Sequence, residues 1–406
     1  MRAAAAIALA ALAITRGTLE GSHTPRDRLA RGNPALPYAI TRGTLEGSHT
    51  PRDRLARGNP ALPYAIGAPQ KPGPQSTTPR APGTTELPFV PPPPPPPPVD
   101  RQRGVALGLF AEDVSFSYGP LLAEIVAVGA THISLVVPLY QTDATTHDIG
   151  LHTRFSPTLG ALAEVARAAK RDGMQVMIFP IVRLSSPGPG QWRGTLAPRD
   201  RDAWFKRYGD LLGELAAVAS VTGATRVVVG SELSSLEDDL DHWRPLVERV
   251  RAVFGGKLVY SANWDHYKST ALFDLVDEEG ISGYFNLRDA KATADDATLD
   301  AGWRRARQEI EAWRIGRTHP FIFTELGYRS RKGVTAAPWD EAPGGTPDID
   351  EQRRAFASFR RVWSTAAVLD GVYIWNWYGY GGLGTTSYTP RGKPAEIEIR
   401  TLLGAL

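Results

Sequence analysis

Two glutamates that follow short apolar runs have the residue type and the setting of catalytic carboxyl groups. Glu232 lies near the end of Thr225–Leu233 (TRVVVGSEL), and Glu325 has the same place in Pro320–Tyr328 (PFIFTELGY). Both runs are short and rich in β-branched or aromatic residues, which is typical of buried strands. Parallel strands end at the ligand-binding face of a sheet. Two carboxyl groups at that face are what retaining glycoside cleavage requires, one as acid/base and one as nucleophile.

A structural role is the alternative for this pair. A carboxylate at the end of an apolar strand costs desolvation free energy unless it is paired or used. Arg183 and Arg329 are close enough in the predicted topology to form ion pairs that hold the rim of the sheet. Neither glutamate has a good structural reason for its position, so the catalytic role is favoured over this alternative.

Strand and helix signals alternate from Gly104 to the end of the chain. We predict eight strands, each followed by a helix: Val105–Phe110, His132–Tyr140, Gln175–Val182, Thr225–Leu233, Lys257–Trp264, Gly280–Leu287, Pro320–Tyr328 and Gly371–Trp377. Eight such units predict an α/β fold of the (β/α)8 TIM-barrel type. An open doubly wound sheet is disfavoured, because Leu109–Asp113 follows the first strand in place of a Gly-rich phosphate-binding turn.

The first hundred residues differ from the rest in composition. Residues 1–14 combine one arginine with a short apolar run, which predicts a secretory signal peptide and export to the periplasm, cell surface or medium. Residues 15–101 read as a disordered linker: Ile14–Ala39 recurs letter for letter as Ile40–Ala65, and Pro91–Pro98 is an unbroken proline run. Residues 102–406 then form the barrel domain.

Composition excludes several classes of function for that domain. Residues 101–406 carry 35 Lys and Arg against 37 Asp and Glu, a balance that argues against a nucleic-acid partner. The chain has no cysteine, and its histidines are scattered without metal-ligand spacing. The N-terminal apolar run is too short to span a bilayer. We therefore expect no metal, no cofactor, no nucleic acid and no transmembrane segment.

Seven short motifs in order resemble one known family. They are Trp192-Arg-Gly194, Trp204-Phe205, Val229-Gly-Ser-Glu-Leu233, Tyr260-Ser-Ala-Asn-Trp264, Phe323-Thr-Glu-Leu-Gly-Tyr328, Pro338-Trp339 and Lys393-Pro394-Ala395. In this order they resemble glycoside hydrolase family 113, whose known members are mainly β-1,4-mannanases with a retaining TIM barrel. The resemblance implies that Glu232 is the acid/base and Glu325 the nucleophile. Much of the wider clan has asparagine before the acid/base, where it binds the sugar 2-hydroxyl, whereas this chain has Ser231.

Other residues at the predicted strand ends are candidates for contact with a sugar. We predict that Tyr284 donates its hydroxyl to Glu325 and keeps that carboxylate ionised. Trp375 or Trp377 is a candidate for the apolar floor under the sugar, although strand alternation puts both on one face and either suits an ordinary core. The remaining candidate substrate contacts are Trp192, Arg193, Ser231, Asn263, Trp264, Asp265 and Tyr328.

These observations lead to three hypotheses about function. The first is an exported, monomeric, retaining endo-β-glycosidase that acts by double displacement on a β-linked polysaccharide, mannan-like by resemblance. The second is a glycosidase that acts on a bacterial exopolysaccharide or cell-envelope glycan. The third is a catalytically silent barrel that binds glycans. Because both glutamates are present, the enzyme hypotheses are favoured.

Overall fold

A computed structural model describes residues 101–113, 115–342 and 344–406. The predicted signal peptide (1–14) and the predicted linker (15–101), apart from Arg101, lie outside the described residues. The description below therefore concerns the barrel domain.

Eight parallel strands form a closed barrel in chain order, and β1 pairs with β8 to complete the ring. The predicted TIM barrel is therefore confirmed. The strands are β1 Gln102–Gly108, β2 His132–Gln141, β3 Gln175–Leu184, β4 Arg226–Ser231, β5 Lys257–Ala262, β6 Glu278–Ser282, β7 Phe321–Leu326 and β8 Gly371–Ile374. The observed β6 and β8 end earlier than predicted, and this affects which side chains reach the barrel mouth.

Seven α-helices surround the strands of the described chain. They are α1 Gly119–Ala127, α2 Leu159–Arg171, α3 Arg201–Thr222, α4 Leu240–Val253, α5 Asp296–Trp313, α6 Ile349–Trp363 and α7 Pro394–Ala405. The connection between β5 and β6 contains a 3₁₀ turn, Leu272–Leu275, in place of the α-helix expected after each strand. Within the described ranges, no helix is both long and apolar enough to cross a membrane.

Local sequence signals explain where the long helices begin and end. The side chain of Asp200 accepts a hydrogen bond from the Ala203 N–H at the start of α3, and Asp295 caps α5 in the same way. Helix α3 ends at Gly223, which has a φ of 71° in the left-handed region that favours glycine. These caps fix the lengths of the helices and so the direction of the loops that carry the site.

Two apolar layers build the core, one between strands and helices and one inside the barrel. The interior layer comprises Ala106, Phe110, Val136, Met177, Phe179, Ile181, Val228, Val259, Tyr284, Ile322, Tyr373 and Trp375. Since side chains inside a TIM barrel pack in layers, the interior is a filled core with two distinct ends. The end where the strands finish is the one that holds the predicted catalytic glutamates.

Candidate active site

Glu232 and Glu325 lie at the carboxyl ends of β4 and β7. Glu232 is the first residue after β4, and Glu325 is the next-to-last residue of β7. Their exposed fractions are only 3% and 1%. Both carboxyl groups therefore lie in the barrel mouth with little contact with solvent, as a pair of strand-terminal acids should.

Two hydroxyl groups donate hydrogen bonds to Glu325. The Tyr284 hydroxyl is 2.8 Å from Oε2, which is the contact that the sequence predicts. The Ser231 hydroxyl is 3.4 Å from Oε1. Hydrogen bonds to a carboxylate favour its charged form, so both contacts support an anionic Glu325.

Glu232 is held by a different set of partners. The Ser282 hydroxyl donates a hydrogen bond to its Oε1, and the Arg193 Nη2 lies 2.5 Å from its Oε2. Arg193 belongs to a 3₁₀ turn, Arg193–Thr195, in the loop that follows β3. A Cβ atom at Gly194 would lie 2.2 Å from the Trp192 ring, so only glycine allows this turn to fold against that tryptophan.

Arg193 is the ion-pair partner that the sequence analysis missed. We predicted it as a substrate contact and considered Arg183 and Arg329 as partners of the glutamates. Arg329 instead donates its hydrogen bonds to the backbone carbonyls of Thr386, Glu341 and Ala342. The arginine that contacts Glu232 comes from an irregular loop, where strand periodicity gives no direction for a side chain.

The electrostatics of the site link Arg193 to both glutamates. Burial, and then the charge of Glu232, raise the pKa of Glu325 to about 8, although Arg193 and Tyr284 oppose the shift. Burial acts to lower the pKa of Arg193, but the charges of Glu232 and Glu325 outweigh it and raise that pKa. One arginine cannot balance two buried carboxylates, so the pair holds one proton near neutral pH.

Aromatic side chains line the mouth around the two glutamates. Trp375 joins the interior layer together with Tyr284, and its peptide bond to Asn376 is cis. Trp264 follows β5 and stacks on Trp339 with 5.2 Å between ring centroids. Trp339 and Trp192 are 43% and 38% exposed, so both side chains are accessible to a ligand. A sugar's C–H face packs well on such rings.

Two predicted substrate contacts are wrong in position. Trp377 lies in the outer layer and donates its Nε1–H to Glu124 on α1, because β8 ends at Ile374 and strand alternation does not extend to it. Tyr328 follows the end of β7 and packs against Phe356 of α6, also in the outer layer. Neither side chain reaches the mouth of the barrel.

The structure also places two predicted residues after β5, and it adds two residues that the sequence did not predict. Asn263 is buried, with its Oδ1 3.4 Å from the Ser282 hydroxyl, whereas Asp265 is exposed on the rim. Ser282 itself was missed, although its place two residues before Tyr284 was a usable signal for a side chain on the same face. Trp339 was likewise not predicted as a contact, although the sequence showed its Pro-Trp motif.

The described chain holds no group of three or more His, Cys, Asp or Glu side chains that could bind a metal ion. The two buried carboxyl groups at the mouth support acid–base and nucleophilic chemistry. The hydroxyl donors and Arg193 act on the charge of those groups.

Comparison with known proteins gives the family. The model of Glycoside Hydrolase Family 113 matches residues 118–381, which is well over half of the chain. The chain belongs to glycoside hydrolase family 113. It is therefore a glycoside hydrolase with a carbohydrate substrate. No protein of curated function matches it in sequence.

Solved structures of family members share the fold. A family 113 β-1,4-mannanase in a complex aligns with a TM-score of 0.68 and 22% identity, covering 76% of this chain and 100% of the other. The family 113 β-mannanase of Alicyclobacillus acidocaldarius aligns with a TM-score of 0.66 and 23% identity over 76% and 99% of the two chains. A β-glucuronidase of Faecalibacterium prausnitzii is more distant, with a TM-score of 0.53, 14% identity and coverage of 75% and 49%.

Proposed function

We propose that this family 113 member is a retaining endo-β-glycosidase that cleaves a mannan-like β-1,4-linked polysaccharide, with Glu232 as acid/base and Glu325 as nucleophile. The observation that carries the proposal is the pair of buried carboxyl groups at the ends of β4 and β7, coupled through one arginine. A retaining mechanism needs two such groups that differ in charge.

The proposed reaction is a double displacement. Glu325 attacks the anomeric carbon while Glu232 gives its proton to the leaving glycosidic oxygen, and a covalent glycosyl-enzyme forms. Glu232, now a carboxylate, then takes a proton from water, which attacks the same carbon and releases Glu325. The configuration at the anomeric carbon is retained because it inverts twice.

Substrate binding has to place the shared proton on Glu232. Without substrate, Arg193 forms an ion pair with Glu232, whereas burial favours a neutral Glu325. The proposed reaction needs a proton on Glu232 and a negative charge on Glu325. Tyr284 and Ser231 already donate to Glu325, so donors for its anionic form are in place. We propose that a sugar hydroxyl group displaces Arg193 from Glu232, after which the proton moves to Glu232.

The mannan-like substrate is proposed from two sources. The solved structures with TM-scores of 0.68 and 0.66 are described as β-mannanases. The exposed rings of Trp192 and Trp339 would support a polymer on either side of the cleavage point. An exopolysaccharide or cell-envelope glycan would use the same groups, so the test includes both classes of polymer.

We also propose that the enzyme is exported and works as a monomer. The support for export is the charged and apolar pattern of residues 1–14, which precede the linker. Expression of the full chain followed by N-terminal sequencing of the secreted product tests it. A mature product that begins after residue 14 is the expected result, and retention of the full-length chain inside the cell would contradict export.

The test of the mechanism is release of reducing ends by the full chain from β-mannan, glucomannan, xylan, cellulose and bacterial exopolysaccharides. We expect activity on mannan or glucomannan and losses of roughly 10⁴-fold in Glu232→Ala and Glu325→Ala. Glu309→Ala, at a surface glutamate, is the matched control and should keep full activity. Activity that survives either active-site substitution would refute the two-glutamate mechanism. Binding without cleavage of any polymer would favour the silent barrel.

Azide separates the two proposed roles. On a dinitrophenyl β-glycoside, whose leaving group departs without a proton, azide needs no general base and should restore turnover to Glu232→Ala with a β-glycosyl azide as the product. In Glu325→Ala it should replace the nucleophile and give the α-glycosyl azide. The same product anomer from both variants would contradict the assignment of roles.

A further inference from the structure

Glu232 has an unusual backbone conformation. Its φ is 53°, and among the described residues it is the one non-glycine residue with a positive φ. The left-handed region costs a non-glycine residue about 1–2 kcal/mol, so neighbouring contacts have to hold it there. Since this angle sets where the carboxyl group points, whatever holds it also positions the proposed acid/base.

Two successive backbone N–H groups at this point bind neighbouring residues of β5. The N–H of Glu232 donates to the Ser261 carbonyl at 2.8 Å, which continues the strand pairing. The N–H of Leu233, which lies beyond the end of β4, donates to the Tyr260 hydroxyl at 3.2 Å. A side chain therefore fixes the peptide group immediately after Glu232.

Tyr260 is itself fixed at both ends of its side chain. Its hydroxyl donates a 2.7 Å hydrogen bond to Oε1 of Glu237, and its ring packs edge-on against Trp243 and Phe273. A Cβ atom at Gly230 would lie 3.0 Å from the Tyr260 ring, so the glycine before Ser231 lets the ring approach β4. The hydrogen bond therefore starts from a rigid ring.

Glu237 is a buried carboxyl group that the proposed mechanism does not use. It is 2% exposed, and burial raises its pKa although the hydrogen bond from Tyr260 opposes the shift. Its Oε2 lies 3.6 Å from Nδ1 of His266, whose side chain is about half exposed. Tyr260 belongs to the layer between strands and helices, outside the barrel. These groups therefore act on the site from behind, without touching a substrate in the mouth.

We propose that Tyr260 and Glu237 form a brace that sets the backbone angle of Glu232 and so aims its carboxyl group at the glycosidic oxygen. Glu237 accepts the hydrogen bond from the Tyr260 hydroxyl, so a lone pair of the hydroxyl oxygen is directed at the Leu233 N–H. Tyr260 and Glu237 are positioning residues for proton transfer. This inference rests on the proposed role of Glu232 as acid/base.

Tyr260→Phe with Tyr208→Phe as control tests the brace. Tyr208 is equally buried, and its hydroxyl donates to the Val229 carbonyl at 3.0 Å, so its loss removes a comparable hydrogen bond without touching Leu233. We expect hydrogen exchange at the Leu233 amide to be about 10-fold faster in Tyr260→Phe and unchanged in Tyr208→Phe. Unchanged protection of Leu233 in Tyr260→Phe would overturn the brace.

The kinetic readout uses two leaving groups on the sugar that the wild type releases. A dinitrophenyl β-glycoside leaves without a proton, whereas the polysaccharide needs one from Glu232. In Tyr260→Phe we expect kcat/KM to fall by about 10- to 100-fold for the polysaccharide and by less than about 3-fold for the dinitrophenyl glycoside. An equal loss on both substrates would mean general damage and would overturn the brace.

A second pair of variants decides the question if Tyr260→Phe does not fold. Glu237→Ala removes the group that accepts the hydrogen bond from the Tyr260 hydroxyl, whereas Glu237→Gln keeps a carbonyl oxygen that can accept it. The loss specific to the polysaccharide should appear in Glu237→Ala and be largely restored in Glu237→Gln. Equal kinetics in these two variants would overturn the brace.

Failure of the proposed function gives a different pattern. If Glu232→Ala is as active as the wild type, the assignment of Glu232 fails and the kinetic argument fails with it. If Glu232→Ala is inactive while Tyr260→Phe behaves like Tyr208→Phe, the assignment stands and the brace alone is wrong.

Discussion

The two ends of the barrel each bury a pair of glutamates, but the pairs have different surroundings. Glu278 and Glu279 begin β6 at the amino-terminal end and are 3% and 2% exposed, against 3% and 1% for Glu232 and Glu325 at the mouth. Residue type and burial are therefore the same at both ends. The partners of the carboxylates are what differs.

Arginine is plentiful at the amino-terminal end. Glu278 accepts hydrogen bonds from Arg226 Nε at 2.9 Å and from Gln102 Nε2 at 3.0 Å. Glu279 pairs with Arg317 Nε at 2.9 Å and with Arg314. Three arginines thus serve two carboxylates there, whereas at the mouth the described residues show one ion pair with the catalytic candidates, between Arg193 and Glu232.

This difference separates a structural cluster from a reactive one. Buried carboxylates that are each paired with arginine have a structural role, and they leave no carboxyl group available for acid–base chemistry. At the mouth, the missing positive charge leaves one carboxyl group protonated near neutral pH, which supplies an acid and a base side by side. Burial alone would not distinguish the two ends of the barrel, but the balance of charge does.

The largest expected effect is on stability, at the amino-terminal end. Glu279→Ala leaves the mostly buried Arg314 and the partly exposed Arg317 without this carboxylate. Breaking a fully buried pair costs about 3–5 kcal/mol, so we expect a loss toward the lower end of that range. Urea unfolding of the variant and the wild type measures the loss. Glu309→Ala removes an exposed partner of Lys268 and should cost less than about 1 kcal/mol. Equal losses in the two variants would mean that the ion pairs of Glu279 stabilise the fold no more than an exposed ion pair does.

The next largest expected effect is on activity. The test compares one tyrosine from each end of the barrel. Tyr284 donates to Glu325 at the mouth, and Tyr373 donates to Gln102 at the other end with a hydroxyl distance of 2.8 Å in both cases. Removing the Tyr284 hydroxyl raises the pKa of Glu325 further, because that hydrogen bond favours the anion.

We therefore expect Tyr284→Phe to lower kcat/KM about 10-fold and to move the acidic limb of its pH profile to higher pH. Tyr373→Phe should leave both the rate and the profile unchanged. A profile that does not move in Tyr284→Phe would show that this hydroxyl does not control the charge of Glu325.

The sequence was sufficient for the fold and for Glu232, Glu325 and Tyr284 at or near strand ends, although it did not reveal Ser282, the last residue of β6. Apolar runs that end in glutamate located Glu232 and Glu325, and the position of Tyr284 led to its hydrogen bond with Glu325. In each case a strand or the residues next to it fix the direction of the side chain.

Prediction failed where the chain leaves regular structure. Trp377 was placed beside Trp375 by extending strand alternation past Ile374, where β8 has already ended. Arg193 comes from an irregular loop, and no periodicity relates its direction to that of Glu232. The charge balance of the mouth depends on that arginine, so it required the structure.

The smallest expected effect is on the pH dependence of stability, which should differ between the two ends of the barrel. The fold raises the pKa of Glu325 from its ordinary value of 4.5 to about 8, so the folded state favours the protonated form. The contribution of protonated Glu325 to the stability of the fold is complete below pH 4.5 and is lost as the pH rises through 8. Glu325→Gln keeps a neutral group at all pH values and should raise Tm by about 2–4 °C at pH 9, with the gain shrinking toward pH 5. Thermal unfolding at both pH values, with Glu309→Gln as the reference for the loss of one carboxyl group, measures the difference. A Glu325→Gln variant less stable than the wild type at pH 9 would mean that the charge of the mouth is balanced as fully as that of the amino-terminal end.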